Sequence, residues 1–111
     1  MRCFWRCYYH IIWTTKYRTP LIEVAFEAVL YASIESKCKE LKCQLFAFNS
    51  IPDHIHTAIS IPPSLAPANV IGQLKGITSF DLNRTFTLER KFHWQESYGI
   101  LIRGEEYVVR L

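Results

Sequence analysis

Residues 43–61 read CQLFAFNSIPDHIHTAISI, and this stretch decides the fold of the chain. The aromatic and aliphatic run over residues 43–49 predicts a strand, and the turn-forming residues SIPD follow it at 50–53. The alternating run IHTAISI over residues 55–61 predicts a second strand. The two strands are therefore expected to pair as a β-hairpin, which Pro62 and Pro63 bring to an end.

Helical patterns flank this hairpin on both sides. Pro20 suits the first turn of a helix, and apolar residues follow at helical spacing through residues 21–41. A second run with this spacing covers residues 68–84 and predicts another helix, although it contains Gly72 and Gly76. Each strand of the hairpin is thus connected to a helix.

Two further strands lie outside the helices. Aromatic and β-branched residues over 3–14 predict the first strand, and the run YGILIR over residues 98–103 predicts the last. Beyond it, Glu105 and Glu106 favour the first turn of a short helix over residues 104–111. The resulting order, β-α-β-β-α-β, predicts an α+β fold of the ferredoxin-like split βαβ type. It has a four-stranded antiparallel sheet with two helices on one face, plus the short C-terminal helix.

Length and composition are those of one folded domain spanning residues 1–111. With half of its residues hydrophobic and 21% charged, the chain does not belong to the disordered classes. Its formal net charge of +3 is compatible with a nucleic-acid partner but is too small to indicate one. Function must therefore be sought in motifs.

Targeting signals are not apparent in the sequence. No apolar run approaches the ~20 residues of a membrane span, and the N-terminal residues lack the pattern of a signal peptide. We therefore expect a cytoplasmic protein without a membrane partner. Its four cysteines are expected to be reduced thiols, because their spacing lacks the C-x2-C knuckles of a zinc ribbon.

The sharpest chemical feature is the run from Asp53 to His56. Side chains alternate between the faces of a strand, so His54 and His56 present two imidazoles side by side, with Ile55 on the opposite face. Neutral imidazole is a common ligand for divalent metals. Two surface histidines without a metal give the same pattern. The position of the pair in a central strand, just after a turn, favours the metal site. Asp53 either caps the turn or orients an imidazole.

Other polar residues are less informative. His10 lies in an aromatic strand as a core or edge residue, and His93 lies in a loop; each is a weaker candidate for a third metal ligand. Basic residues near the aromatic side chains of the chain are candidates to hold phosphates, although at this net charge a solvated surface is the favoured explanation. The candidate DNA-binding residues are Lys16, Arg18, Lys75 and Arg84.

Four segments together resemble the single-tyrosine HUH transposases of the insertion-sequence 200/605 group. Residues 9–18 (YHIIWTTKYR) are similar to the opening motif of that family, and residues 52–56 (PDHIH) resemble its P-D-H-hydrophobic-H motif. Residues 73–79 (QLKGITS) resemble its L-K-G helix, and residues 92–99 (FHWQESYG) resemble its F-x-W-Q-x-x-Y-G segment. The matches occur in order and extend over most of the chain.

The resemblance implies a metal-dependent transposase acting on single-stranded DNA with hairpins. In the family, a tyrosine attacks the scissile phosphate to give a 5′-phosphotyrosine intermediate. The resemblance assigns His54 and His56 as ligands of Mg²⁺ or Mn²⁺ and places Lys75 near the DNA. It also implies a homodimer and a ferredoxin-like fold.

The chain departs from the family at the nucleophile. Counting from Trp94 puts the family's catalytic tyrosine, and a metal-binding glutamine on the same helix, just past Leu111. Tyr107 is on the right segment but before the expected position, whereas Tyr98 matches a strand residue. Three explanations stay open: a shortened transposase that does not cut DNA, a fragment of a longer protein, and use of Tyr107 after a shift of the helix.

Activity as an enzyme is therefore an open question at the level of sequence. The leading interpretation is a transposase impaired in its chemistry, and the alternative is a non-catalytic binder of single-stranded or hairpin DNA derived from one. A metal-dependent phosphoesterase that uses water is a third possibility. An RNA-binding module is disfavoured, because its aromatic residues would have to stand where His54 and His56 are.

Overall fold

The α+β class expected from the sequence is confirmed by a computed structural model, which describes residues 8–86, 91–95, 99–103 and 108–110. Short 3₁₀ turns occur at Lys16–Arg18 and Val24–Phe26. The helices and strands are β1 (Tyr8–Thr14), α1 (Glu27–Glu40), β2 (Gln44–Ile51), β3 (His54–Ser60), α2 (Pro67–Thr85), β4 (Gly99–Arg103) and β5 (Val108–Arg110).

The strands form one antiparallel sheet in the order β2-β3-β1-β4-β5. The predicted hairpin is β2 and β3, but its turn is shorter than residues 50–53, because β2 extends to Ile51 and only residues 52 and 53 form the turn. His54 is consequently the first residue of β3. Strand β3 pairs with β2 on one side and with β1 on the other, which gives it an interior position in the sheet.

One face of the sheet is covered by both helices and forms the core. The side chains of Ile11 and Trp13 on β1, and of Ile55 and Ile59 on β3, are fully buried. The helices contribute residues to the same cluster, including Leu30, Ile34, Ile71 and Leu74. Burying an aliphatic side chain of this size contributes about 1.5–3 kcal/mol. Alternation along each strand places the intervening residues on the opposite, open face.

Helix α1 begins at Glu27, later than the predicted helix over residues 21–41. The residues before it are held by non-helical hydrogen bonds: the Leu21 N–H donates to the Thr19 carbonyl (2.7 Å), and the Ile22 N–H donates to the Pro52 carbonyl (2.9 Å). The second of these bonds ties the segment to the β2–β3 turn. Glu23 has an extended backbone (φ −88°, ψ 159°), so helical structure begins only after it, whatever the spacing of the apolar side chains.

Helix α2 begins with Pro67 in its first turn and continues through Gly72 and Gly76. A methyl group added at either glycine would meet no neighbouring atom within 4 Å, so packing does not require glycine there. Within the residues that the structure describes, no helix has the length and apolarity needed to cross a membrane.

The prediction of a helix over residues 104–111 is wrong for residues 108–110, which form β5. Val109 pairs with Ile102 of β4, and Val108 pairs with Arg103. Pairing satisfies the hydrogen-bonding groups along the edge of β4, and adjacent valines favour extended backbone over helix. The sheet therefore has five described strands instead of the predicted four.

Two of the cysteines, Cys38 and Cys43, are buried free thiols. The Cys43 N–H donates to the Cys38 carbonyl (2.8 Å), and Lys42 between them has a positive φ of 63°. This pattern is a Schellman motif that ends α1. Burial, with smaller effects from Cys43 and Glu35, raises the pKa of Cys38 to about 12. Burial also raises the pKa of Cys43, so the unreactive protonated form is favoured at both thiols. Cys3 and Cys7 lie outside the described residues.

Candidate functional site

The open face of β3 carries the two histidines singled out by the sequence. Ile55 between them is fully buried, whereas His54 and His56 are only half-buried. Their ring centroids lie 4.8 Å apart, with the ring planes at 61°. The alternation expected for a strand therefore brings the two imidazoles side by side.

Asp53 contacts His54 directly. The distance between the carboxylate Oδ1 of Asp53 and the Nδ1 of His54 is 2.7 Å. The backbone of Asp53 is also fixed, since its carbonyl accepts a hydrogen bond from the N–H of the buried Thr15 (2.9 Å). Asp53 thus lies in the turn, and its carboxylate contacts an imidazole; capping of the turn by its side chain stays a prediction.

His10, which the sequence offered along with His93 as a weaker candidate for a third ligand, lies beside this pair. Its ring centroid is 5.7 Å from that of His56, across the pairing of β1 with β3. The alternation of buried Ile11 and Trp13 in β1 indicates which face His10 occupies. The register that brings it to His56 is a tertiary contact and has no local signal.

His56 lies between two other imidazoles, and its environment disfavours the charged ring. Burial lowers the pKa of His56, and positive charge on His54 and on His10 lowers it further. The neutral ring has an unprotonated nitrogen that can bind a metal. The partial burial of His56 and its two neighbouring imidazoles therefore favour the neutral ring, which is the form that can bind a metal.

These residues fit a divalent metal as two neighbouring imidazole ligands. In the part of the chain that the structure describes, no group of three or more His, Cys, Asp or Glu side chains is arranged to hold a metal ion. Two imidazoles leave most of the coordination positions of Mg²⁺ or Mn²⁺ for water, DNA oxygens or further protein ligands. The two imidazoles could thus supply part of a metal's coordination shell, with the remaining positions open to other ligands.

The segment 91–95 is held against α2 by polar contacts. Asn83 accepts from the Phe92 N–H (2.7 Å) and donates to the Phe92 carbonyl (3.1 Å), and the Trp94 Nε1–H donates to the Thr78 Oγ1 (2.9 Å). The other end of the segment reaches β1, where the Gln95 N–H donates to the Thr14 carbonyl (2.8 Å). Because Thr14 pairs with His54, the segment ends at the edge of the histidine site.

The candidate DNA-binding residues lie on two separate elements. Lys16 is exposed just after β1, with its Nζ 5.6 Å from the centre of the Tyr17 ring. Arg18 ends the same 3₁₀ turn. On α2, Lys75 donates to the Gln95 carbonyl, and the exposed Arg84 pairs with Asp81 (3.0 Å).

Lys75 therefore helps to hold segment 91–95 against α2. Its contact with DNA stays a prediction. His93 lies on that segment and is exposed. Its carbonyl accepts from the Lys16 N–H (3.0 Å). Tyr107, the candidate nucleophile, and Tyr98 lie outside the described residues.

Solved structures share this fold. A crystal structure of a proposed transposase from Deinococcus radiodurans R1 matches with a TM-score of 0.83 at 23% identity, covering 95% of this chain and 85% of that one. A REP-associated tyrosine transposase bound to a REP hairpin matches with a TM-score of 0.65 at 13% identity, covering 95% of this chain and 64% of that one. At these identities the likeness establishes a common fold.

Sequence comparison identifies the family. The transposases for insertion sequence element IS200 of Salmonella typhimurium and Salmonella typhi are each 28% identical to this chain over 82 residues, which is 74% of the chain. The chain spans about half (54%) of the length of these curated relatives. The family model described as "Transposase IS200 like" matches residues 3–110. The chain therefore belongs to the IS200-like transposase family.

Proposed function

We propose that this chain carries out metal-dependent strand transfer on single-stranded DNA, with His54 and His56 as metal ligands. The observation that carries the proposal is the pair of imidazoles 4.8 Å apart on the open face of an interior strand. A pair of half-buried polar rings on such a strand contributes little to packing, whereas it supplies two ligands on a rigid element. Membership of the IS200-like family supports the same chemistry.

The metal in this proposal is Mg²⁺ or Mn²⁺, which would polarise a phosphodiester and stabilise the charge on its oxygens. The role of His54 and His56 is to present neutral nitrogen ligands, and that of Asp53 is to hold the ring of His54. Lys16, Arg18, Lys75 and Arg84 are the proposed phosphate contacts.

Tyr107 is the candidate nucleophile within this sequence. In the proposed step the tyrosine oxygen forms a bond to the scissile phosphorus, the hydroxyl proton passes to a base, and the 3′ oxygen of the DNA leaves with the electron pair of the broken bond. The departing 3′ oxygen takes up a proton from a general acid or from water, so the step yields a 5′-phosphotyrosine and a free 3′-hydroxyl.

The DNA partner is proposed to be a single strand that contains a hairpin. A structural neighbour is a tyrosine transposase bound to a REP hairpin, which supports this choice of ligand. The proposal also includes a ferredoxin-like βαβ arrangement, which the strand order β2-β3-β1-β4 supports. It further includes a homodimer and a cytoplasmic location. Transposase activity like that of the longer relatives is part of this proposal.

The test uses labelled DNA hairpins with single-stranded flanks, incubated with the protein and Mn²⁺. A denaturing gel detects a covalent protein–DNA adduct, and a native gel detects binding. For an active transposase with Tyr107 as its nucleophile, we expect an adduct that is lost in His54→Ala, His56→Ala and Tyr107→Phe. For a transposase impaired in its chemistry, we expect Mn²⁺-dependent hairpin binding without an adduct. His93→Ala is the matched control, because His93 is exposed on segment 91–95 and its ring is not part of the histidine cluster.

The outcomes separate the candidate functions. An adduct that persists in His54→Ala and His56→Ala contradicts the metal assignment, and one that persists in Tyr107→Phe contradicts the assignment of the nucleophile. Hairpin binding without adduct or cleavage, and without dependence on Mn²⁺, supports the non-catalytic binder instead. Cleavage without an adduct indicates a phosphoesterase that uses water.

A further inference from the structure

The turn before the histidine pair is held in place by two other segments of the chain. The Thr15 N–H donates to the Asp53 carbonyl (2.9 Å), and the Ile22 N–H donates to the Pro52 carbonyl (2.9 Å). Thr15 is fully buried, and its hydroxyl donates to the Thr19 carbonyl (2.5 Å). The backbone from which the Asp53 side chain extends is therefore fixed by hydrogen bonds from Thr15 and Ile22.

The Asp53 carboxylate fixes the hydrogen-bonding state of His54. Its Oδ1 lies 2.7 Å from the His54 Nδ1, and an ionised carboxylate can only accept hydrogen bonds. The Nδ1 atom must therefore carry the proton that is donated. In the neutral ring this leaves the lone pair on Nε2. The side chains are 17% and 30% exposed for His54 and Asp53, so solvent screens this bond less than it would an exposed pair.

We propose that Asp53 is a positioning residue, which holds His54 as the Nδ1–H tautomer so that Nε2 is the ligand atom offered to the metal. The inference rests on the proposed function, in which His54 binds Mg²⁺ or Mn²⁺. Carboxylate groups that accept from the second nitrogen of a metal-binding histidine fix the orientation of the ring and raise its basicity. Asp53 is next to its histidine in sequence and is set by a two-residue turn.

The same bond distinguishes the two histidines. His54 has a carboxylate against its ring, whereas His56 lies between the rings of His54 and His10. Removing the carboxylate should therefore change the tautomer of His54 and leave that of His56 close to its original state. His56 thus serves as a reference within the same molecule.

The experiment is long-range ¹H–¹⁵N NMR of the ¹⁵N-labelled, metal-free protein, which reports the tautomer of each histidine. We expect His54 to be the Nδ1–H form in the wild type and to shift towards the Nε2–H form in Asp53→Ala. Asp53→Asn keeps a carbonyl acceptor and should retain the Nδ1–H form in part. Calorimetric titration with Mn²⁺ should show binding weakened by about 10–100-fold in Asp53→Ala, and less in Asp53→Asn.

The two readouts separate this inference from the proposed function. An Nε2–H tautomer of His54 in the wild type, or no change of tautomer in folded Asp53→Ala, overturns the role of Asp53. A wild-type Nδ1–H tautomer together with an absence of Mn²⁺ binding contradicts the proposed metal function and leaves the tautomer assignment intact. Unaltered Mn²⁺ affinity in Asp53→Ala, with the tautomer changed, overturns the positioning role. Circular dichroism melts establish that each variant is folded, and Asp53→Asn provides the test if Asp53→Ala does not fold.

Discussion

The two faces of β3 differ in what the same seven residues present. Ile55, Thr57 and Ile59 are buried beneath the helices, whereas His54 and His56 on the other face are only half-buried. The first face is apolar and in contact with many side chains of the core cluster. The second carries imidazoles and a neighbouring carboxylate, which contact one another.

This difference allows one strand to supply stability and the proposed binding site independently. Alternation separates the two sets of side chains, so a change on one face need not disturb the other. Rigid packing of the covered face holds the backbone, and the backbone in turn fixes the spacing of the imidazoles. A site built in this way on a regular element is more precise than one on a loop.

The largest expected effect is the difference in the free energy of unfolding between substitutions of two neighbouring residues that lie on opposite faces of β3. Ile55→Ala removes a fully buried side chain and should lower the free energy of unfolding by about 2–5 kcal/mol. His56→Ala removes a half-buried side chain and should change it by about 1 kcal/mol or less. Urea denaturation measures both values, and Mn²⁺ titration should show binding lost in His56→Ala alone.

A milder variant calibrates this comparison. Ile55→Val keeps most of the apolar contact and should cost about 0.5–1.5 kcal/mol, with Mn²⁺ binding retained. If His56→Ala destabilises the protein as much as Ile55→Ala does, the histidines of the open face are structural residues. The division of β3 into a stabilising face and a binding face would then be wrong.

The predictable parts of this molecule are those that depend on local periodicity. Alternation over residues 55–61 is enough to place His54 and His56 on one face and Ile55 on the other. The helix over residues 68–84 is likewise close to the observed α2. The IS200-like family was recognisable from four motifs in the right order, and the family match confirms it.

The features that sequence reasoning missed depend on contacts between distant segments. His10 reaches His56 only through the register of β1 against β3, and the segment before α1 is tied to the β2–β3 turn by the Ile22 N–H, which donates to the Pro52 carbonyl. Strand β5 forms because β4 offers an edge, whereas Glu105 and Glu106 indicated a helix. The local patterns predicted the β2–β3 hairpin but carried no signal for these longer-range contacts.

A smaller effect tests whether binding extends from the open sheet face to α2. Gly76 adjoins Lys75, a proposed DNA contact, while Gly72 lies one turn earlier, and both have open space around them. Gly→Ala in a helix interior should raise the free energy of unfolding by about 0.5–1 kcal/mol at either position. Both glycines lie on the same face of α2, and we expect hairpin affinity to fall more in Gly76→Ala than in Gly72→Ala, because the methyl group at Gly76 adjoins the proposed contact at Lys75.

Thermal denaturation and a native gel shift measure the two properties, with Gly72→Ala as the matched control. Equal hairpin affinity in the two stabilised variants would mean that DNA does not approach α2 closely at Gly76. Binding would then be confined to other surfaces, of which the open face of the sheet is the first to examine.

The smallest expected effect is a pH dependence that arises on the open face alone. Burial and the charges of His54 and His10 lower the pKa of His56 in the folded protein, whereas in the unfolded chain it returns to about 6.5. The unfolded state therefore binds more protons as the pH falls. The contribution of His56 to the free energy of unfolding is therefore complete above its pKa in the unfolded chain. It is lost as the pH falls through the lower pKa of His56 in the folded protein.

The groups that face His56 define the control. They are His54 on the same strand, His10 across the pairing with β1, and Asn49 opposite it on β2, with Asp53 acting on His54. NMR titration of the histidine rings should show the lowered pKa of His56, and His10→Gln should raise it by removing a positive neighbour while keeping a polar side chain. Because burial is the largest cause, the rise in His10→Gln should restore only part of the shift. A pKa of His56 that does not respond to His10→Gln would mean that the two rings are not in contact in solution, and the open face would then consist of a histidine pair without His10.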